Sequence, residues 1–194
     1  MSPYQQELAK YLEPFVVLSD QEMAELIGCA EHRLVKKKEL LLDHGQVGQY
    51  VWFVRNGYVR FYYFDANGDE VTSDFVFAPG FVTAFRSFIN REPSQVVVQA
   101  MENMEIIGWS RECLFHLYDR YPAIERIGRI MAEQVFLSMD KHLSAFLNQS
   151  PHQRYLWLLK EYPEFIKNIP LVYLASWLGI TPETLSRIRR RTMK

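Results

Sequence analysis

The sequence predicts an α+β chain: an antiparallel β-sandwich or barrel, a long helix, and a small helical motif near the C-terminal end. Three observations predict it. From about residue 31 to residue 111, apolar residues recur with period two in short β-branched and aromatic runs. From Pro122 to about Asn148 they recur at helical spacing, on two stripes. From Leu171 to Arg191, two short helical patterns are joined at a glycine.

Composition sets the class. Of the 194 residues, 48% are hydrophobic and 23% charged, which describes a globular chain with a full core, in one large or two small domains. No apolar run reaches about 18 residues, so no transmembrane helix is expected. The start, Met1-Ser2-Pro3-Tyr4, lacks the basic and apolar regions of a signal peptide, so a cytoplasmic location is expected. Cys29 and Cys113 lie far apart and suggest neither a disulfide framework nor a metal site; buried thiols are expected.

The elements follow in order. Residues 4–12 and 19–29 read as helices. Ser19 with Glu22 three residues later has the spacing of a capping box. Strands are expected at 39–42, 50–54, 58–64, 70–77, 95–100 and 104–109. Turn signals separate them at His44-Gly45, Asn56-Gly57, Asp65 to Gly68, Ala78-Pro79-Gly80 and Glu92-Pro93. Asn56-Gly57 predicts a hairpin, because both residues tolerate positive φ. A short helix spans 111–118, and Pro122 opens the long one.

Ile124, Ile127, Met131, Val135, Met139, His142 and Phe146 form one apolar stripe of that helix; Ile130, Phe136, Leu137, Leu143 and Leu147 cover much of the rest. A helix apolar on two faces must be covered twice. One face can lie on the barrel; the same helix of a second subunit is the symmetric cover for the other. His142 reads as a packed or partner-bonded side chain. Residues 148–151 break the helix and read as a hinge. A further helix is expected at 153–161, stopped by Tyr162-Pro163.

In the C-terminal motif, Leu171, Leu174, Ala175 and Leu178 give the first helix an apolar face. Gly179 supplies a stop with positive φ, Thr181 a cap, and Pro182 a first helical residue. Leu185 and Ile188 return the second helix to the first. Thr181, Pro182, Glu183, Thr184, Arg187, Arg190 and Arg191 are the candidate DNA-contacting residues. That is the order of a helix-turn-helix whose second helix enters the major groove. Arg can donate twice to guanine, and Glu can accept from cytosine. Residues 181–194 hold five Lys/Arg and one Asp/Glu, a net +4, while the whole chain is −1. A local positive end suits a phosphate backbone.

The run Gly45 to Arg60, with Val51-Trp-Phe-Val54 and Gly57-x-Val-Arg60, and the run Leu178-Gly-Ile-Thr-Pro-Glu-Thr-Leu-Ser-Arg-Ile188 resemble the Crp/Fnr family (cyclic-AMP receptor protein and fumarate-nitrate regulator). The resemblance spans essentially the whole chain. It implies a jelly-roll-like barrel at 1–148, of the cyclic-nucleotide-binding type and closed by a dimerisation helix at about 122–148. It implies a helix-turn-helix DNA-binding domain at 149–194, with a reduced or absent β-wing, since only 168–170 precede the motif. It implies a homodimeric transcription regulator that binds double-stranded DNA, takes a small-molecule effector and works with RNA polymerase, with no membrane and no catalysis. By the same resemblance Glu183 and Arg187 hold base-reading positions and Thr181 a phosphate-contacting one. Pro182 stands where many members place a contacting side chain.

The effector pocket departs from the family's pattern. Cyclic-nucleotide binders carry Gly-Glu, then Arg-Ser, around a short loop. Here Phe81 stands in place of the Glu, and Ser94-Gln95 in place of the Arg-Ser. Thr83, Arg86 and Ser87 lie in the same loop, out of register, with Arg91 nearby. A buried phosphodiester without its Arg is costly, so cyclic AMP is not the expected effector. Phe75, Phe77, Phe81, Phe85, Phe88 and Ile89 would either line a pocket for an apolar ligand or fill the barrel. No cofactor or metal is expected: an iron–sulfur sensor needs four cysteines, no His is marked as a haem ligand, and no His/carboxylate cluster supports a cupin-type enzyme. The alternative function is a ligand-sensing or protein-binding barrel whose helical tail docks a protein.

Overall fold

The structure, a computed structural model, describes residues 3–192. Met1, Ser2 and Lys194, used above for the chain start and the basic end, lie outside the described residues. The elements are α1 (Pro3–Leu12), α2 (Asp20–Gly28), β1 (Glu31–Val35), β2 (Leu40–Leu42), β3 (Tyr50–Val54), β4 (Tyr58–Phe64), β5 (Glu70–Phe77), β6 (Gly80–Val82), α3 (Phe85–Asn90), β7 (Val97–Ala100), β8 (Met104–Ser110), α4 (Arg111–Arg120), α5 (Pro122–Asn148), α6 (Pro151–Glu161), α7 (Pro163–Asn168), α8 (Leu171–Trp177) and α9 (Pro182–Thr192).

Two four-stranded sheets, β1-β8-β3-β6 and β2-β7-β4-β5, form the jelly-roll-like barrel, and the chain passes repeatedly from one sheet to the other. Period-two alternation assigns the faces of the first sheet. Trp52, Val54, Val82, Met104 and Ile106 face the barrel interior with Val35, Leu42, Val59, Val98 and Ala100. Phe53, Ile107 and Trp109 face the other way, onto a layer built by Leu8 and Leu12 of α1, Met23 and Leu26 of α2, Leu114 and Leu117 of α4, and Ile124 and Ile127 of α5. That double burial explains why β3 reads as an unbroken apolar run. Trp109 adds a polar tie: its indole N–H donates to Leu26 O at 2.7 Å. Trp52 lies flat over Gly108, its partner in register, where a Cβ would stand 2.1 Å from the ring.

Several expectations are corrected. Asn56-Gly57 does not close a hairpin, because β3 and β4 belong to different sheets. Gly57 does take φ +76°, but the turn is a corner. Asn56 clips that corner to the β7–β8 turn, donating to Asn103 O at 3.1 Å and accepting from Glu105 N at 2.8 Å. Local turn chemistry was read correctly; the strand partners are non-local. β1, β6, α3 and α7 were not predicted. The place before α8 is taken by α7, and among the described residues no strand follows β8.

Cys29 and Cys113 are joined as a disulfide with Cα atoms 6.4 Å apart, not held as two buried thiols. A separation of 84 residues hides that pairing from the sequence.

By contact the chain forms two compact units, 1–61 with 75–134, and 62–74 with 135–194. The division between these two units falls inside α5. In the second unit the backbone N–H of Thr72, from β5, donates to Ser176 Oγ of α8 at 2.8 Å. The 148–151 break is tightly held. Ser150 and Gln153 form a capping box on α6. The Arg154 guanidinium donates to Phe146 O and Gln149 O, both at 3.2 Å, and so satisfies carbonyls at the end of α5.

Candidate nucleic-acid interface and effector pocket

α8 and α9 are set by their shared underside. Leu174, Ala175, Trp177, Leu178, Leu185 and Ile188 are buried, and Ala175 is 0% exposed, so the two helices meet over its methyl. The turn between them has defined bonds. Gly179 N–H donates to Ser176 O and Ile180 N–H to Ala175 O, both at 3.0 Å, with Gly179 at φ +66°. This is a Schellman closure, and it needs a residue that accepts positive φ. Thr181 Oγ1 then accepts from Thr184 N at 3.2 Å, which starts α9 with Pro182 in its first turn.

The opposite side of α9 carries the candidate residues. Thr181, Glu183, Arg187, Arg190 and Arg191 are exposed; Pro182 and Thr184 are half-buried. Glu183, Arg187, Arg190 and Arg191 fall on one stripe at helical spacing. The Glu183 carboxyl is held below its ordinary range by its own backbone N–H and by the Thr181 hydroxyl. It therefore stays an acceptor at neutral pH, at the positive end of the helix.

The residues of the dimerisation stripe do not share one environment. Ile124 and Ile127 are buried in the helical layer of their own chain, and Met131 packs against it. Val135, Met139 and Phe146 are exposed, and His142 is half-buried. The exposed face is built from both stripes: Phe136 is 69% exposed, Met139 63%, Leu143 56% and Leu147 70%. Their spacing of three and four residues continues one side of α5.

The effector-pocket residues are largely engaged within the chain. Ser87 Oγ accepts from Gly48 N at 2.8 Å and donates to Glu92 O at 2.5 Å. Ser94 Oγ donates to Val96 O at 2.8 Å, and Thr83 Oγ1 to Tyr50 O at 3.0 Å. Phe81 packs outside the barrel interior, 5.7 Å from the Tyr11 ring, 5.3 Å from Phe53 and 6.1 Å from Trp109. Gln95 and Arg91 are exposed, and Arg86, also exposed, lies 3.6 Å from Glu92. Of the six apolar residues, Phe75 and Phe88 are buried and Phe77 stacks on Tyr58 at 4.7 Å. Phe85 and Ile89 are 45% and 41% exposed.

Sequence reasoning missed an aromatic cluster in the helical unit. His142, Trp157 and Trp177 lie near parallel, edged by Tyr162 and Phe165. Its members come from α5, α6, α7, α8 and the residue between α6 and α7, so no single periodicity marks them.

Comparison with known proteins matches residues 32–121 to the cyclic nucleotide-binding domain. Regulatory protein HlyX of Actinobacillus pleuropneumoniae is 26% identical over 194 residues, covering 93% of this chain and 79% of that one. FixK2 of Bradyrhizobium japonicum is 16% identical with a TM-score of 0.72, over 84% of this chain and 83% of that one. The c-di-GMP-responsive global regulator CLP of Xanthomonas campestris is 17% identical with a TM-score of 0.71, over 90% and 92%. The structural likenesses bear on the fold.

Proposed function

We propose that the chain is a member of the Crp/Fnr family and acts as a homodimeric, DNA-binding transcription regulator; the cyclic nucleotide-binding domain match over residues 32–121 and the likeness to regulatory protein HlyX support this. The observation that carries the reading is the two-sided α9: an apolar side seated on α8, and an outward stripe of Glu183, Arg187, Arg190 and Arg191. Arg187 and Glu183 read base edges, and Thr181 and the terminal arginines meet phosphates. The second copy covers the exposed side of α5, which gives two α9 helices for the two halves of a pseudo-palindromic site. Residues 149–194 carry the DNA contact and 1–148 the barrel with its dimerisation helix.

An effector would be a small molecule other than cyclic AMP. The internal bonds of Ser87, Thr83 and Ser94, and the exposure of Arg86 and Arg91, support a pocket without a buried guanidinium at the family's phosphate position. RNA polymerase is the further partner that this reading implies. The site of action is the cytoplasm; among the described residues no helix is long and apolar enough to cross a membrane.

A mobility-shift titration on duplexes selected from a random pool tests the reading, with wild type and Arg187→Ala compared over a range of salt. The variant should lose about 1–3 kcal/mol, roughly 5- to 150-fold in affinity, and relax specificity at one base pair. Absence of binding by the wild type, or equal binding by the variant, overturns it.

A further inference from the structure

We propose that Cys29 and Cys113 are a reversible redox pair, oxidised by a hydroperoxide and reduced by an external dithiol, that fastens helix α2 to helix α4. Three observations carry this. The two sulfurs are joined in the structure. Cys29, the C-cap of α2, is exposed, and Cys113 is half-buried in the first turn of α4. An open cleft of about 420 Å³ lies over the pair, lined also by Gln21, Glu25, Gly28 and His116. Small oxidants and a reducing partner therefore have access to both sulfurs. In a cytoplasmic protein, a disulfide with that access is of the transient, sensing kind.

The fold gives the link something to control. Met23 and Leu26 are the buried residues of α2, and the Trp109 bond to Leu26 O is its polar tie to the barrel. The disulfide is a third tether, at the end of the helix. It closes a loop of 84 residues and so removes much freedom from the unfolded chain.

The chemistry balances with one peroxide. Ser110 Oγ accepts the N–H of Cys113 in the first turn of α4, and the positive end of the helix dipole there favours negative charge on its sulfur. The Cys113 thiolate attacks the peroxide O–O bond, gains a sulfenyl oxygen and releases an alcohol. The Cys29 thiolate then attacks that sulfur, forms the S–S bond and expels hydroxide, which leaves as water. Two electrons pass from the thiols to the peroxide. A dithiol reverses the change: it attacks the exposed Cys29 sulfur, frees the Cys113 thiolate, and resolves through its own second thiol.

The inference does not rest on DNA binding, and its test needs no DNA. The full chain is reduced, then treated with a stoichiometric hydroperoxide, alkylated, and weighed intact and after digestion. The expected product is a monomer lighter by two hydrogens, with no alkylated cysteine and with peptides of Cys29 and Cys113 joined. It should melt roughly 5–15 °C above the reduced protein. Reductant should leave the melting of Cys29→Ser and Cys113→Ser unchanged. The proposal fails if both thiols still alkylate after peroxide, if the bond forms only between chains, or if reductant lowers the melting of the variants as much as that of the wild type.

Discussion

The imidazole of His142 lies against the indole of Trp177, ring centroids 4.2 Å apart and planes 25° from parallel. His142 Nε2 stands 3.3 Å from Trp177 O. The pair ties α5 to α8 by one stacked contact and one polar one.

Burial lowers the His142 pKa from its usual 6.5; the bond to Trp177 O works against that, and the Arg154 charge adds to it. A lowered folded value means that the native state favours the neutral ring. The stability this gives is present above the unfolded value of 6.5. It is lost as pH falls from there through the lowered folded value. Between about pH 7.5 and 5.5, wild type should therefore lose melting temperature. His142→Phe keeps a stacking ring without a proton site and should flatten that slope. Parallel slopes for the two proteins would remove His142 as the cause.

The exposed side of α5 predicts self-association. Phe136→Lys with Leu143→Lys places two charges where a second copy is expected to lie. Sedimentation should show a dimer for wild type and a monomer of unchanged helix content for the variant. A wild-type monomer, or a variant that still dimerises, would leave the exposed apolar side unexplained.

Gly179→Ala should destabilise by about 1–2 kcal/mol, because a side chain at φ +66° is strained whatever the space around it. The added Cβ would also stand 2.5 Å from Phe146 Cε2, a ring edge that can yield, so the backbone term should dominate. Denaturant titration measures it. A change below about 0.3 kcal/mol would show that the turn tolerates an ordinary residue.

Ser87→Ala separates a structural role from a ligand-binding one. Its hydroxyl satisfies the buried Gly48 N–H and reaches Glu92 O. Its loss should cost about 1–3 kcal/mol of stability in the protein without ligand. An unchanged denaturation midpoint would return Ser87 to the list of free pocket groups.

The sequence made visible those elements whose signal is local. The Ser19–Glu22 capping box, the Thr181 cap and the Gly179 stop are each complete within a few residues. β1 was invisible because its residues are mostly exposed and polar, Glu31-His32-Arg33, and only Val35 is buried. α7 was hidden by Pro163, read as a stop although it opens the helix. Phe81 was placed near a ligand because loop register says nothing of which face of a three-residue strand is turned outward. The α9 stripe was legible, since helical spacing alone sorts Leu185 and Ile188 from Arg187 and Arg191. The helical aromatic cluster and the Cys29–Cys113 pairing were not, because both join residues that no short-range pattern relates.

The bond from Thr72 to Ser176 bears on how the molecule can be taken apart. The segment 62–74 leaves the barrel's stretch of sequence and is shared with the helices, so the backbone passes between the two bodies three times. No single scissor point yields both halves whole. A fragment that begins at residue 135 would forfeit the ribbon that clasps α8, and the matching barrel piece would keep a Thr72 N–H whose Ser176 partner is gone. Halves made for separate study would need that ribbon stitched back on.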